Sequence, residues 1–195
     1  MSDLKTVAVL CVSPRSVYHG MPGVDAYDSD RDARTFPGGM PVVAHPPCRT
    51  WSAYCRQLVK ATPEQIKAEQ ALAFFCLEQV CKWGGILEQP AHSRFWFAAG
   101  LPRPGSKGEL GWTAEVWQAW WGYPVKKATW LFFSRITHAV DYPLRLHARG
   151  KDRRAVQLMS HRQRSATTPA FAEWLVQHAR KATNGKYESI RHESS

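Results

Sequence analysis

Acidic residues are scarce in this chain. Sixteen Asp and Glu stand against 26 Lys and Arg, leaving a formal net charge of +10 over 195 residues. A surplus of that size attracts polyanions and speeds their encounter, so DNA or a nucleotide is the expected partner class. Long apolar runs are missing as well. Val7 to Val12 is too short for a secretory signal or a membrane span, and no stretch approaches the length of a transmembrane helix, so no membrane association is expected. Cysteine is limited to five residues, an odd number, which argues against a disulfide framework and for a reduced, cytoplasmic setting. His45, Cys48, Cys55, Cys76 and Cys81 include no Cys-x-x-Cys pair, and Cys76 and Cys81 lie five apart on an expected helix, pointing to different faces. No metal is expected. Internal repeats and linkers are also lacking. The organisation expected is a single α/β domain over residues 1–182, followed by a polar tail at 183–195.

What the chain does have is aromatic residues: nine Trp, eight Phe and six Tyr. Most belong to a core, since large rings dominate burial energetics; one or two near strand ends can sandwich a base. The run from Thr6 to Val12 is β-prone and apolar throughout, the pattern of a strand covered on both faces. Further short strands are expected at Val24–Tyr27, Val42–Ala44 and Ile86–Glu88. Two more, Val116–Trp121 and Thr129–Phe133, flank a turn at Gly122–Pro124. Thr62, Pro63 and Gln65 form a capping box that starts a helix, which Gly84 and Gly85 end. A second helix starts at Thr168 and Pro169 and runs to about Arg180. Residues 100–111 and 147–163 read as loops, the second of them basic. Strands interleaved with helices give an open, mostly parallel, Rossmann-like sheet with flanking helices. In such sheets ligands bind beyond the carboxyl ends of the strands.

Two segments lie at such ends. In His45, Pro46, Pro47, Cys48 the two prolines fix φ and remove two backbone donors, so the loop is stiff and holds Cys48 in a defined place. Cysteine is the most nucleophilic side chain once ionised, and Arg49 beside it can lower the thiol pKa. The second segment is Leu87, Glu88, Gln89, Pro90. After the first strand, Ser13, Arg15 and Ser16 offer hydroxyls and a guanidinium that can hold a phosphate. The basic stretch beginning at Arg145, with Arg149, Lys151, Arg153, Arg154, His161, Arg162 and Arg164, is divided between a solvated loop and phosphate binding.

Pro-Pro-Cys48 followed by Ser52, then Glu88, Gln89 and Pro90 about forty residues on, resembles the nucleophile loop and the Glu-Asn-Val or Glu-Asn-Pro segment of the C5-cytosine DNA methyltransferases. The match is closer still to small bacteriophage and prophage proteins described as methyltransferase-like. These share Ala44–Cys48, Glu88–Pro90, a Gln118–Thr129 stretch and Arg164 and Ser165 through Pro169, over roughly residues 40–180. The resemblance implies Cys48 as the nucleophile at C6 of a pyrimidine and Glu88 as the group that activates the base. It further implies His45, Pro47, Ser52, Gln89, Lys127, Thr129, Arg162 and Arg164 around the substrate. S-adenosylmethionine is the implied cofactor. The family's Gly-rich cofactor loop has no counterpart after Val12, where Ser13, Arg15 and Ser16 stand, and Asp25 or Asp28 is left to make the acidic ribose contact.

The leading expectation is therefore a methyltransferase-like protein modifying pyrimidines in DNA or nucleotides. One alternative is an enzyme that modifies a nucleoside monophosphate or cleaves its glycosidic bond. The other is a non-catalytic relative that binds DNA or a host protein to blunt a defence system.

Overall fold

Strand β1 (Val7–Leu10) is apolar at each position and fully buried along its length, which requires helical cover on both faces of its sheet. A computed structural model, which describes residues 4–51, 61–137, 140–143 and 159–183, supplies that cover. After β1 come β2 (Val24–Tyr27), β3 (Val42–Ala44), helix α1 (Pro63–Trp83), β4 (Gly85–Pro90) and α2 (Arg94–Ala98). The chain continues through β5 (Lys107–Gly108), β6 (Gly111–Trp117), β7 (Ala128–Ser134), α3 (His161–Ser165) and α4 (Pro169–Ala179).

The seven strands form one sheet in the order β2-β1-β3-β4-β7-β6-β5. Neighbours among β2, β1, β3 and β4 are parallel. Strand β7 is antiparallel to both β4 and β6, so β6 runs with the parallel set and only β5 and β7 run against it. The expected open, mostly parallel α/β sheet is therefore present. Period-two alternation sorts its side chains into two layers. Val7, Val9, Val43, Ile86, Leu131 and Phe133 pack with α4, through Phe171, Leu175 and Val176. Ala8, Leu10, Val42, Ala44, Leu87 and Phe132 pack with α1, through Cys76, Leu77 and Val80. Cys81, expected on a different helix face from Cys76, is buried in the same layer.

The capping box at the start of α1 forms as expected: Thr62 accepts from the Gln65 N–H, and Gln65 returns a bond to the Thr62 N–H. Other expectations needed correction. The strand read at Val116–Trp121 lies earlier, at Gly111–Trp117, and Gln118–Trp121 is a turn of 3-10 helix closed by Gly122 at φ 83°. Glycines at 105, 108 and 111 disguised the strand's first half as loop. Helix α2 was missed because five residues are too few to display a helical period. Within the basic stretch, Ser160 and Gln163 make a second capping box and start α3.

This topology fixes where a ligand can sit. Chain succession passes from β1 to β2 on one side and then returns to β3 on the other. That reversal opens a crevice at the carboxyl ends of β1 and β3, the usual ligand position in an open α/β sheet.

Candidate active site at the carboxyl edge of the sheet

Five segments deliver polar side chains to this edge. His45 follows β3 directly, and Glu88 lies on the neighbouring β4, one position beyond the Ala44–Leu87 pair. Because β7 is antiparallel to β4, its beginning meets the end of β4, pairing Thr129 with Pro90. Gln118 ends β6 at the same edge. Tyr18 arrives from the β1–β2 connection and is buried.

These residues form one hydrogen-bonded chain. The Glu88 carboxylate accepts from His45 Nδ1 at 3.4 Å and from Gln118 Nε2 at 3.0 Å. Gln118 Nε2 also reaches Thr129 Oγ1 at 3.0 Å. With Nδ1–H turned to a carboxylate, His45 Nε2 is left to accept the Tyr18 hydroxyl, 2.9 Å away. Burial pushes the Glu88 carboxyl up. The bond from His45, the charge of Lys127 and the Gln118 amide outweigh that push and hold it below the usual carboxylate range. Glu88 is therefore ionised at neutral pH and held in a fixed orientation. Burial, with the Glu88 charge adding to it, pushes the Tyr18 phenol well up, so Tyr18 stays a neutral donor.

Lys127 donates to the Arg164 carbonyl at 2.8 Å and lies 5.2 Å from the centre of the Tyr123 ring. Tyr123 in turn donates to the Gln163 carbonyl at 2.8 Å. These bonds dock α3 onto the turn that precedes β7, bringing Arg164 to the site through its backbone.

Cys48, three residues past His45, is exposed. Its carbonyl accepts the Trp51 N–H at 3.1 Å, closing a turn. Gln89, fully buried, donates to the Pro46 carbonyl at 2.6 Å and so ties β4 to the Pro-Pro loop. It serves as a brace within the protein, where a substrate contact was expected. Arg49, expected beside the thiol, instead grips Glu69 of α1 through Nε at 2.7 and 2.9 Å. The structure thus brings together His45, Glu88, Lys127, Thr129 and the Arg164 backbone, with Cys48 on the same loop as His45 and Gln89 bracing that loop. Ser52 and the basic residues from Arg145 to Arg154 lie outside the described residues, as do the side chains of His161 and Arg162.

Two contributors escaped the sequence reading. Tyr18 was hidden in a loop interpreted as a phosphate holder, and Gln118 in a stretch interpreted as strand. A buried aromatic in a polar loop was the available signal for the first.

The candidate cofactor residues lie around the β1–β2 connection and do not fit S-adenosylmethionine as they stand. Between the two strands there is a single 3-10 turn, Val17–Gly20, with no glycine loop leading into a helix. Both oxygens of Asp25 are held, by Arg31 and by the Tyr27 hydroxyl at 2.9 Å. Asp28 accepts two backbone N–H groups, at 2.9 and 3.0 Å, and meets His19 at 3.2 Å. Those backbone bonds, that of Arg31 foremost, lower its pKa. Ser13 Oγ accepts the Arg15 N–H at 3.3 Å, and the Arg15 side chain is exposed. Arg180 donates to the carbonyls of Lys5 and Pro22 and pins this connection.

Among the described residues, no helix is long and apolar enough to cross a membrane. Comparison with known proteins finds no matching family model, no matching curated protein and no matching solved structure.

Proposed function

We propose that this protein modifies pyrimidines in DNA or nucleotides in the manner of the C5-cytosine methyltransferases, with Cys48 as nucleophile and Glu88 activating the base. The observation that carries this reading is the His45–Glu88 bond. It joins the Pro-Pro-Cys loop to the carboxylate across adjacent strand ends of one sheet, with the thiol exposed three residues on. In the step proposed, the Cys48 thiolate adds to C6, and the C5=C6 electron pair moves into the ring. The ionised Glu88 carboxylate accepts a hydrogen bond from N3–H, which uracil already carries and cytosine gains from water. C5 takes a further proton from water. Loss of the original C5 hydrogen, and in cytosine of the added N3 proton, to the hydroxide so formed then restores C5=C6 and expels the thiolate. His45 and Gln118 hold the carboxylate in one orientation for the ring edge to meet.

Reversible addition to C6 exchanges the C5 hydrogen with solvent. Cytosine- and uracil-containing oligonucleotides and monophosphates incubated in D2O should gain deuterium at C5, read by mass spectrometry. Cys48→Ser should abolish the gain, and Glu88→Gln should reduce it roughly 100-fold or more, the range of positioned acid–base groups. If no pyrimidine exchanges with the unaltered protein, the reading is wrong.

A further inference from the structure

A second cleft opens on the α1 side of the sheet, one turn past Cys48. It is an open cleft of about 540 Å³, lined by Thr50, Trp51, Ile66, Gln70, Arg94 and Phe97. That volume lies within the usual range for a small-molecule or nucleotide site. The Arg94 N–H bonds the Trp51 carbonyl at 3.1 Å, fixing α2 against the turn that begins at Cys48.

Phe97 is 93% exposed. Spaced three residues from Arg94 on α2, it shares that residue's helix face. Arg94 is exposed and has no carboxylate partner among the described residues. An aromatic ring in water beside an unpaired guanidinium matches the needs of a nucleotide, whose base stacks and whose phosphate seeks a cation. The cleft wall adds a second observation. Thr50 and Trp51 are 8% and 7% exposed, yet among the described residues neither the Thr50 hydroxyl nor the Trp51 indole N–H has a hydrogen-bond partner. Unpartnered buried polar groups are costly, and both are of the kind that bind the oxygen and nitrogen edges of a base once the wall yields to a guest.

A protein partner fits less well. The other large exposed apolar side chains among the described residues are Leu4 and Tyr142. Leu4 lies against Gly23, and Tyr142 stacks on Trp174, both on the α4 side. Among the described residues Phe97 therefore stands alone, whereas a stable protein interface needs a contiguous patch of roughly 800 Å² per partner.

We infer that this cleft seats the nucleotide next to the reacting pyrimidine in a single-stranded DNA, with its base on Phe97 and its phosphate at Arg94. The inference rests on the pyrimidine reading for the occupant of the neighbouring site, and it narrows the substrate from a free nucleotide to a strand.

Binding separates the two proposals when measured without chemistry, in Cys48→Ser protein. The probe is a fluorescein-labelled ten-residue deoxyoligonucleotide carrying 2-aminopurine, titrated by anisotropy and by quenching. Phe97→Ala should weaken binding roughly 5- to 100-fold, the range for one stacked base, and lose part of the quenching; Phe97→Tyr should restore both. Arg94→Ala should weaken binding and lower the salt slope by about one. Phe97→Ala protein that binds and quenches like its parent overturns the inference, as does an oligonucleotide that does not bind at all. Loss of a dimer in Phe97→Ala protein, seen by sedimentation, would assign the face to a second copy and equally overturn it. Retained Phe97-dependent binding with no C5 exchange by the unaltered protein would remove the chemical reading alone.

Discussion

At the scale of single residues, the site is governed by where Glu88 keeps its charge. Its carboxyl is held below the usual range in the folded protein, so its contribution to stability is complete above the unfolded value near 4.5 and is lost as pH falls through the lowered folded value. The stability gap between the unaltered protein and Glu88→Gln should therefore be widest at neutral pH. It should begin to close as pH drops below about 4.5 and be closed once pH has fallen through the lowered folded value, where the carboxyl is neutral like the amide. Denaturant midpoints measured from pH 7 to pH 3 test this, and a gap that does not change with pH would place the carboxylate elsewhere. Tyr18 is the residue behind His45. Tyr18→Phe keeps the ring in its buried place and removes the bond to Nε2, so a loss of about 1 kcal/mol is expected in urea unfolding, the usual worth of such a bond. C5 exchange should slow with it as the imidazole loses its outer anchor.

Among the elements, β4 is the one that admits no adjustment. Gly85 begins the strand at φ 140°, and a Cβ there would meet the Val42 carbonyl oxygen of β3 at 1.9 Å. The obstacle is backbone at the first register position of a parallel pair, and no side-chain rotation relieves it. Gly85→Ala should cost roughly 3 kcal/mol or more, among the severe single-residue effects, and because β4 carries Glu88 the exchange activity should fall with the fold. Soluble yield and melting temperature check this. Helix α1 offers a graded contrast: Thr62→Ala removes one half of an exposed capping box and should cost about 1 kcal/mol, leaving the site intact. A cap sits at the end of an element and can be lost alone, whereas a strand start is fixed by its neighbour.

For the whole molecule, the decisive feature is that both core layers are built on the same strands. Val7 and Val9 face α4 while Ala8 and Leu10 face α1, and β3, β4 and β7 divide their side chains in the same way. Removing either helical layer exposes one face of strands that the other layer still needs, so the two should melt together. Far-UV circular dichroism, tracking the helices, and tryptophan fluorescence, reporting from Trp112, Trp121 and Trp174 on the α4 side and from Trp51 and Trp96 on the α1 side, should give coincident thermal transitions. Separate transitions would mean that the layers are independent.

The sequence by itself determined the strands that are buried on both faces, the caps of α1 and α4, and the pairing of a stiff Pro-Pro-Cys loop with a Glu-containing strand end. Each of these is written in local signals: an unbroken apolar run, a Thr followed by Pro, two prolines that fix φ. Only the tertiary structure decided which polar groups meet. Gln118 reaches Glu88 because an antiparallel β7 is inserted between β4 and β6, and Tyr18 reaches it through His45 because a short connection folds the phenol inward. It also decided that Arg49 belongs to Glu69 and Asp25 to Arg31. Hydrogen bonds between residues 27, 30 and 43 positions apart depend on strand order and direction, and no local pattern along the chain encodes either.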